Sequence, residues 1–312
     1  MNIIFMGTPD FAAVCLQTLI DNSSEYDCSL SERAVRTPNS ELNVITPPDK
    51  PKGRKYELTP CAVKVLAQEN NIPVYQPSSM RDEAAEELIK SLAPDLIVVV
   101  AYGKILPKNI LDIPKYGCIN IHASLLPKYR GSSPIHSAII GGETVTGITS
   151  IQMDEGMDTG DMLLKKELPI EKNDTTVTLH DKLAVLGGEV LVETIKNLDT
   201  IKPQKQNENE ATYTKILNKE DGKIDWNESA EQIRNKIRGL QPWPSAYTEM
   251  DGKILKIFFA DVVKLQGKAG DIMTDNGKLI IYCGENAILI NELQIENKKR
   301  MKTDEFLRGY KF

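Results

Sequence analysis

Along the first two thirds of the chain, short apolar runs alternate with amphipathic stretches and with turns that contain glycine or proline. An apolar run over residues 2–6 ends at Gly7 and precedes a helical pattern that starts at Phe11, which is the order of a βα unit. The run over residues 96–101 is apolar throughout, as expected of a central parallel strand buried on both faces. The pattern therefore predicts an α/β fold with a doubly wound, mostly parallel sheet.

The last third of the chain has a different pattern, in which apolar and polar residues alternate over short runs between glycine turns. Alternation with a period of two is typical of strands that have one buried face. Together with a helix predicted over residues 230–240, these runs favour a small β-barrel of the OB type. The runs are 246–249, 254–260, 270–273, 278–282 and 287–294.

A polar stretch separates the two patterns. It follows a long predicted helix over residues 179–198 and is rich in glutamine and asparagine, a composition typical of a linker. We therefore predict a first domain over residues 1–198, a linker over residues 199–211 and a C-terminal OB-like barrel over residues 212–312. A length of 312 residues agrees with two domains.

Composition narrows the class of protein. Hydrophobic residues make up 41% and charged residues 26% of the chain, which is ordinary for a globular protein. No apolar run approaches the roughly 20 residues of a membrane helix, and the first residues lack the features of a signal peptide. The five cysteines are scattered without C-x-x-C spacing, which indicates reduced thiols and no zinc site. We expect a cytoplasmic protein without a metal ion or a membrane segment.

The chemistry is concentrated in a polar pair on an otherwise apolar run, Asn120 and His122 within residues 118–122. Because strand residues alternate faces, the two side chains lie on one face. An amide and an imidazole side by side can hold a carbonyl oxygen and move a proton. A second strand-like run, residues 147–153, leads into an acidic, glycine-containing loop with Asp158. If the two strands are neighbours, a loop carboxylate lies next to His122 and favours its protonated form.

Several motifs resemble the folate-dependent formyltransferases. They are GTPDFA at 7–12, the N-x-H strand, SLLPKYRG at 124–131, and QMDEGMDTGDML at 152–163; GTPDFA is not the G-x-G-x-x-G of a dinucleotide site. The resemblance implies that Asn120, His122 and Asp158 are catalytic. It also implies the fold of this family, with residues 1–198 as the catalytic domain and a C-terminal barrel. The motifs KEDGKIDW, IRGLQPWP and FLRGY resemble those of the family's barrel.

The resemblance further implies the substrates. SLLPKYRG and QMDEGMDTGDML are most similar to the branch that transfers a formyl group from 10-formyltetrahydrofolate to the amino group of methionyl initiator tRNA in translation initiation. Two segments are then expected to bind the folate, the turn after the strand 96–101 and the start of SLLPKYRG. The residues concerned are Ala101, Tyr102, Gly103, Ser124, Leu125, Leu126 and Pro127.

A tRNA contact is implied for the basic loop that contains PKGR. Arg54 matches the arginine with which the family contacts the acceptor stem, and Lys50 and Lys52 lie beside it. The chain departs from the family directly after Arg54 and again over residues 22–43, where the connection is longer and more polar. The net charge of −6 is uneven, since residues 211–312 carry 17 Lys or Arg against 15 Asp or Glu. The barrel is expected to contact tRNA, and the protein to be a monomer.

Other interpretations stay open at this point. A strand-end asparagine can cap a turn, and a loop aspartate can accept backbone hydrogen bonds without any catalytic role. The substrate can also be a small amine, such as a nucleotide-linked amino sugar or glycinamide ribonucleotide. A third alternative is a non-catalytic RNA-binding relative. His136 and His180 lie on predicted helices and are interpreted as structural residues.

Overall fold

The computed structural model describes residues 1–23, 42–52 and 57–310. Arg54 and most of the polar connection over residues 22–43 therefore lie outside the described residues. In the parts that are described, no helix is both long enough and apolar enough to cross a membrane.

The strands alternate with helices up to residue 200 and then follow one another closely. In chain order the strands are β1 (Ile3–Gly7), β2 (Leu42–Ile45), β3 (Lys50–Lys52), β4 (Glu57–Thr59), β5 (Val74–Tyr75), β6 (Leu96–Val100), β7 (Cys118–His122), β8 (Arg130–Gly131), β9 (Val145–Gln152), β10 (Met162–Pro169), β11 (Tyr213–Thr214), β12 (Ala246–Met250), β13 (Lys253–Val263), β14 (Ile272–Asp275), β15 (Lys278–Tyr282), β16 (Ala287–Ile295) and β17 (Met301–Lys302).

Among the described residues, the longest α-helix is α6 (Thr176–Lys196), and the other α-helices have at most about three turns. They are α1 (Asp10–Asp21), α2 (Ala62–Glu69), α3 (Glu83–Leu92), α4 (Lys108–Leu111), α5 (Pro134–Ile140), α6 (Thr176–Lys196), α7 (Ala230–Gly239) and α8 (Thr303–Gly309). Two 3₁₀ helices cover Glu208–Glu210 and Lys219–Gly222.

The main sheet has the strand order β10-β9-β7-β6-β1-β2-β5. Strands β5, β2, β1, β6 and β7 are parallel, and β9 runs antiparallel to β7. The predicted mostly parallel sheet is confirmed. The second strand of the sheet is Leu42–Ile45, the short apolar run that precedes the prolines of the following turn.

The sheet is buried on both faces. All five residues of β1 and of β6 are buried. On one face, Ile4 and Ile97 pack with Ile89 of α3 and Ile110 of α4, whereas α1 packs on the other face. Each such side chain stabilises the fold by about 1.5–3 kcal/mol relative to an exposed one. Helices on both faces are what the continuous apolar runs predict.

The C-terminal strands form an antiparallel sheet in the order β12-β13-β16-β15-β14, with β17 paired to β16. Its apolar face packs against α7, whose N-terminus has a capping box between Ser229 and Gln232. The predicted antiparallel region after residue 245 is confirmed. The buried core of this region includes Ile233, Ile237, Leu255, Ile257, Ile290 and Leu293.

The chain divides into two compact units that interleave along the sequence. The first comprises residues 1–131, 147–168 and 181–213, and the second comprises 132–146, 169–180 and 214–312. Residues 199–211, which the sequence analysis assigns to a linker between domains 1–198 and 212–312, lie within the first unit. The assignment of functional roles to those domains stays a prediction.

Candidate active site

The strand register brings the two polar motifs together. β7 lies between β6 and β9, with Asn120 opposite Val99 on one side and Ile151 on the other. β9 ends at Gln152, and the acidic loop follows directly. The two strands are therefore neighbours, which is the condition for placing a loop carboxylate beside His122.

Asp158 is the loop carboxylate that contacts the polar pair. Its Oδ1 accepts a hydrogen bond of 3.1 Å from Nδ2 of Asn120. Its Oδ2 accepts one of 2.8 Å from the backbone N–H of Gly131 and lies 3.6 Å from Nδ1 of His122. The three side chains, which are separated by up to 38 residues in the chain, thus converge in the first compact unit.

His122 is buried, with 6% of its surface exposed. Its Nε2 lies 3.0 Å from the carbonyl oxygen of Tyr129. Because a carbonyl only accepts, Nε2 carries the proton in this contact. The distance of 3.6 Å between Nδ1 and Asp158 is longer than a hydrogen bond. A proton on Nδ1 is therefore not committed to Asp158 and is available to a third group.

The shape of the loop explains why glycine occupies position 160. A Cβ atom on Gly160 would lie 1.8 Å from the backbone oxygen of Gln152, at the end of β9. Asp158 itself has a left-handed backbone with a φ of 55°, which only a minority of non-glycine residues adopt. The loop turns this tightly because the chain must return to pair Gln152 N with Asp161 O at 2.8 Å.

The turn after β6 presents backbone rather than side chains. Ala101 and Gly103 are exposed and have φ values of 45° and 76°. Tyr102 between them is buried, and within the described part of the chain its hydroxyl has no hydrogen-bond partner. Burial raises the pKa of Tyr102 to about 12. An unpaired buried hydroxyl costs free energy, and the Tyr102 side chain packs among the buried apolar residues of the sheet.

The residues at the start of SLLPKYRG mostly make contacts within the protein. The Ser124 hydroxyl donates to the carbonyl of Lys128 at 2.7 Å. Leu126 is buried beside Ile151 and Met162. Leu125 is half-buried, and Pro127 is buried. The four backbone carbonyls of this segment all accept hydrogen bonds within the protein, so the half-buried side chain of Leu125 is the main group that a ligand could contact.

The predicted tRNA residues lie on a separate hairpin. β3 and β4 pair antiparallel, with Lys50 opposite Thr59 and Lys52 opposite Glu57. Lys50 is exposed. Residues 53–56, which include Arg54, lie outside the described residues.

An open cavity of about 590 Å³ lies at the other end of β7, between Lys108–Gly117 and Gln152–Glu155. It contains none of the predicted site residues. Its lysine at position 108 is already paired with Asp112 at 2.9 Å. We therefore assign the chemistry to the polar cluster and not to this cavity.

Sequence reasoning missed two residues that reach the site. Gln206, in the stretch interpreted as a linker, is buried and donates hydrogen bonds to the backbone of the acidic loop. Arg130 is fully buried and donates to Gln206. Arg130 belongs to SLLPKYRG, but the motif does not reveal its partners. No periodicity distinguishes Gln206 from its polar neighbours.

A carboxylate that contacts both an amide and an imidazole on a mostly parallel α/β sheet suits a group-transfer enzyme that acts on a carbonyl carbon. The sequence profile described as formyl transferase matches residues 1–195, and that of the formyl transferase C-terminal domain matches residues 216–311. The chain belongs to the formyltransferase family, and it is an enzyme of the transferase class.

Relatives match the chain over its full length. The methionyl-tRNA formyltransferase of Geotalea uraniireducens is 47% identical over 100% of this chain and 96% of its own. The protein of the same name from Caldanaerobacter subterraneus subsp. tengcongensis is 50% identical over 99% of this chain and 97% of its own.

Solved structures share the fold at much lower identity. WlaRD, a sugar 3N-formyl transferase whose crystal structure was determined in the presence of dTDP and 5-N-formyl-THF, has a TM-score of 0.68 at 21% identity and covers 96% of this chain and 99% of its own. The N-formyltransferase of Helicobacter canadensis, in complex with folinic acid and dTDP-3-aminofucose, has a TM-score of 0.67 at 19% identity and covers 93% of this chain and 98% of its own. At these identities the likeness concerns the fold alone.

Proposed function

We propose that this formyltransferase transfers a formyl group from 10-formyltetrahydrofolate to the amino group of methionine on initiator tRNA. The observation that carries the chemistry is the convergence of Asn120, His122 and Asp158, joined by contacts of 3.1 and 3.6 Å. Full-length identity of 47–50% to proteins named methionyl-tRNA formyltransferase supports the choice of substrate.

Asn120 and His122 stabilise the negative charge that develops on the formyl oxygen. The amide of Asn120 has two N–H donors, of which one is given to Asp158. In protonated His122, the Nδ1–H is too far from Asp158 for a hydrogen bond, so it can donate to the formyl oxygen. A well-placed donor of this kind contributes about 3–4 kcal/mol to the transition state.

Asp158 supports both donors and helps to remove a proton. Its negative charge lies 3.6 Å from Nδ1 and attracts the proton-carrying ring of His122. The methionine amine attacks as a neutral nucleophile, and a bond forms between its nitrogen and the formyl carbon while the bond from that carbon to the folate nitrogen breaks. The amine loses one proton, which Asp158 accepts directly or through water, and the folate nitrogen gains one.

The residues around the turn after β6 fit a folate. The exposed backbone of Ala101 and Gly103 offers polar groups to a pteridine ring, and Tyr102 anchors the turn between them in the core. Leu125 supplies an apolar surface, and Ser124, Leu126 and Pro127 fix the backbone of that segment. When bound, 10-formyltetrahydrofolate supplies the formyl carbon.

The tRNA is proposed to contact the basic hairpin through Arg54, Lys50 and Lys52, which offer their charges to phosphates. The C-terminal antiparallel sheet supplies a second contact surface.

The alternatives are not favoured. Sugar N-formyltransferases share the fold at 19–21% identity, whereas the full-length relatives at 47–50% identity carry the methionyl-tRNA name. A non-catalytic RNA-binding protein has no need for a carboxylate that contacts both an amide and a buried imidazole.

The test is formylation by the purified protein. With 10-formyltetrahydrofolate, we expect formyl-methionyl-tRNA as the product from initiator methionyl-tRNA, and no product from a nucleotide-linked amino sugar or glycinamide ribonucleotide. The folate product gives an independent measure of turnover. Formylation of a small amine in preference to the aminoacyl-tRNA would overturn the proposal, as would the absence of any product.

A further inference from the structure

The first compact unit contains a buried arginine whose partners lie in the segment interpreted as a linker. None of the surface of Arg130 is exposed. Its guanidinium donates two parallel hydrogen bonds of 2.9 and 2.7 Å to the carboxylate of Glu208, and a third of 2.9 Å to the hydroxyl of Tyr213. A buried charge is tolerated only when its donors are satisfied, so this arrangement fixes the segment 206–213 against β8.

Gln206 connects that arginine to the acidic loop. Its Oε1 accepts a hydrogen bond of 3.0 Å from Nε of Arg130. Its Nε2 donates two hydrogen bonds, of 2.7 Å to the backbone oxygen of Asp158 and of 2.8 Å to that of Gly160. Because arginine only donates and carbonyls only accept, this orientation of the amide is the one that satisfies all three contacts.

The same segment also fixes the other side of the site. The backbone N–H of Arg130 donates to the carbonyl of Thr212 at 2.9 Å. The residues on either side of Arg130 make the contacts to the catalytic groups, since Tyr129 O accepts from His122 and Gly131 N donates to Asp158. Movement of this segment would therefore displace both partners of the imidazole–carboxylate contact.

We propose that Gln206 and Arg130 are positioning residues of this active site, which hold the loop 154–161 so that Asp158 stays against Asn120 and His122. They touch neither substrate and act through Asp158. The inference deepens the proposed function and rests on it, because it assigns the role of Asp158 to the formyl transfer.

The main test is Gln206→Glu, which keeps the size of the side chain and the acceptor for Arg130. It replaces the two N–H donors with an oxygen that faces two carbonyls. Displacement of a catalytic group by about 1 Å can cost roughly 100-fold in rate, so we expect kcat for formylation to fall roughly 10- to 100-fold. KM for methionyl-tRNA should change by less than about twofold, because the substitution removes no contact that binds the substrate in the ground state. Gln204→Glu, at an exposed position, is the matched control and should retain kcat.

A double-mutant cycle separates positioning from a general structural role. In an Asp158→Asn background, the carboxylate that Gln206 positions is already gone. Gln206→Glu should then cause no further loss of kcat. If the two losses multiply, Gln206 acts independently of Asp158 and the inference is wrong.

Hydrogen exchange gives a readout that does not depend on turnover. Backbone amides of residues 153–162 should exchange faster in Gln206→Glu than in the wild type, and at the wild-type rate in Gln204→Glu. If Gln206→Glu does not fold, Glu208→Gln serves instead, with Glu210→Gln as its control. Glu208→Gln weakens the paired hydrogen bonds from Arg130 to residue 208, and a smaller loss of kcat is expected.

The two proposals fail in different ways. A wild-type protein that forms no formyl-methionyl-tRNA refutes the proposed function, whereas the exchange of residues 153–162 still judges the positioning role. An active wild type together with wild-type kcat and unchanged exchange in Gln206→Glu refutes the positioning role alone.

Discussion

Two segments surround Asp158, and they differ in how the sequence encodes them. β7 is a regular strand whose residues other than Asn120 and His122 are apolar and buried. The segment 206–213 contains a short 3₁₀ helix and the first residue of β11, and it anchors the acidic loop through Gln206. A strand reveals its faces by periodicity, whereas a segment that acts through side-chain contacts to a backbone has no periodic pattern.

The largest effect is expected in β7. His122→Ala removes one donor to the formyl oxygen, and kcat should fall about 100- to 1,000-fold while the fold is retained. His136→Gln is the matched control, because His136 lies on α5, where burial and His180 lower its pKa, and we assign it no catalytic role. Steady-state formylation and thermal unfolding of both variants check the prediction. A His122→Ala enzyme with a near-normal rate would show that β7 does not carry the chemistry.

The loop between the two segments should be the next most sensitive element. Gly160→Ala places a Cβ atom 1.8 Å from the oxygen of Gln152, so the loop must shift. Overpacking of this kind costs about 1–3 kcal/mol of stability, and a displaced Asp158 should lower kcat by roughly 100-fold. At Gly309 nothing lies within 4 Å of an added Cβ, so Gly309→Ala should affect neither quantity. Urea unfolding and single-turnover rates distinguish the two variants.

What could be predicted from the sequence also differs between the periodic strands and the segment 206–213. The parallel sheet and the antiparallel C-terminal strands were predictable, because buried strands impose a period of two or a continuous apolar run, whereas the neighbouring positions of β7 and β9 entered only as a condition. The contact between Asn120 and Asp158 could be expected only once the two strands were taken as neighbours. The paired hydrogen bonds between Arg130 and Glu208 could not be predicted, since they join residues 78 apart in elements too short to show a periodic pattern.

A smaller effect, confined to substrate binding, is expected for the basic hairpin. Arg54→Ala should raise KM for methionyl-tRNA roughly tenfold, leave kcat unchanged and reduce the salt dependence of log(kcat/KM) by about one. Lys90→Ala removes an exposed positive charge on α3 that is paired with Glu86, and it should change neither. The measurement is kcat/KM at several salt concentrations. If Arg54→Ala lowers kcat and leaves the salt dependence unaltered, Arg54 acts in formyl transfer and not in tRNA binding.

The smallest effect concerns the exposed end of the segment 206–213. The hydrogen bonds from Arg130 hold the pKa of Glu208 below its usual value. A lowered pKa in the folded state means that the carboxylate stabilises the fold above its unfolded pKa of about 4.3 and that this contribution is lost as the pH falls through the folded value. The difference in unfolding midpoint between the wild type and Glu208→Gln should therefore be present at pH 7 and shrink below roughly pH 4. Glu210→Gln should show no such change. If the Glu208 difference is constant from neutral to acid pH, the ion pair with Arg130 does not hold this segment in place.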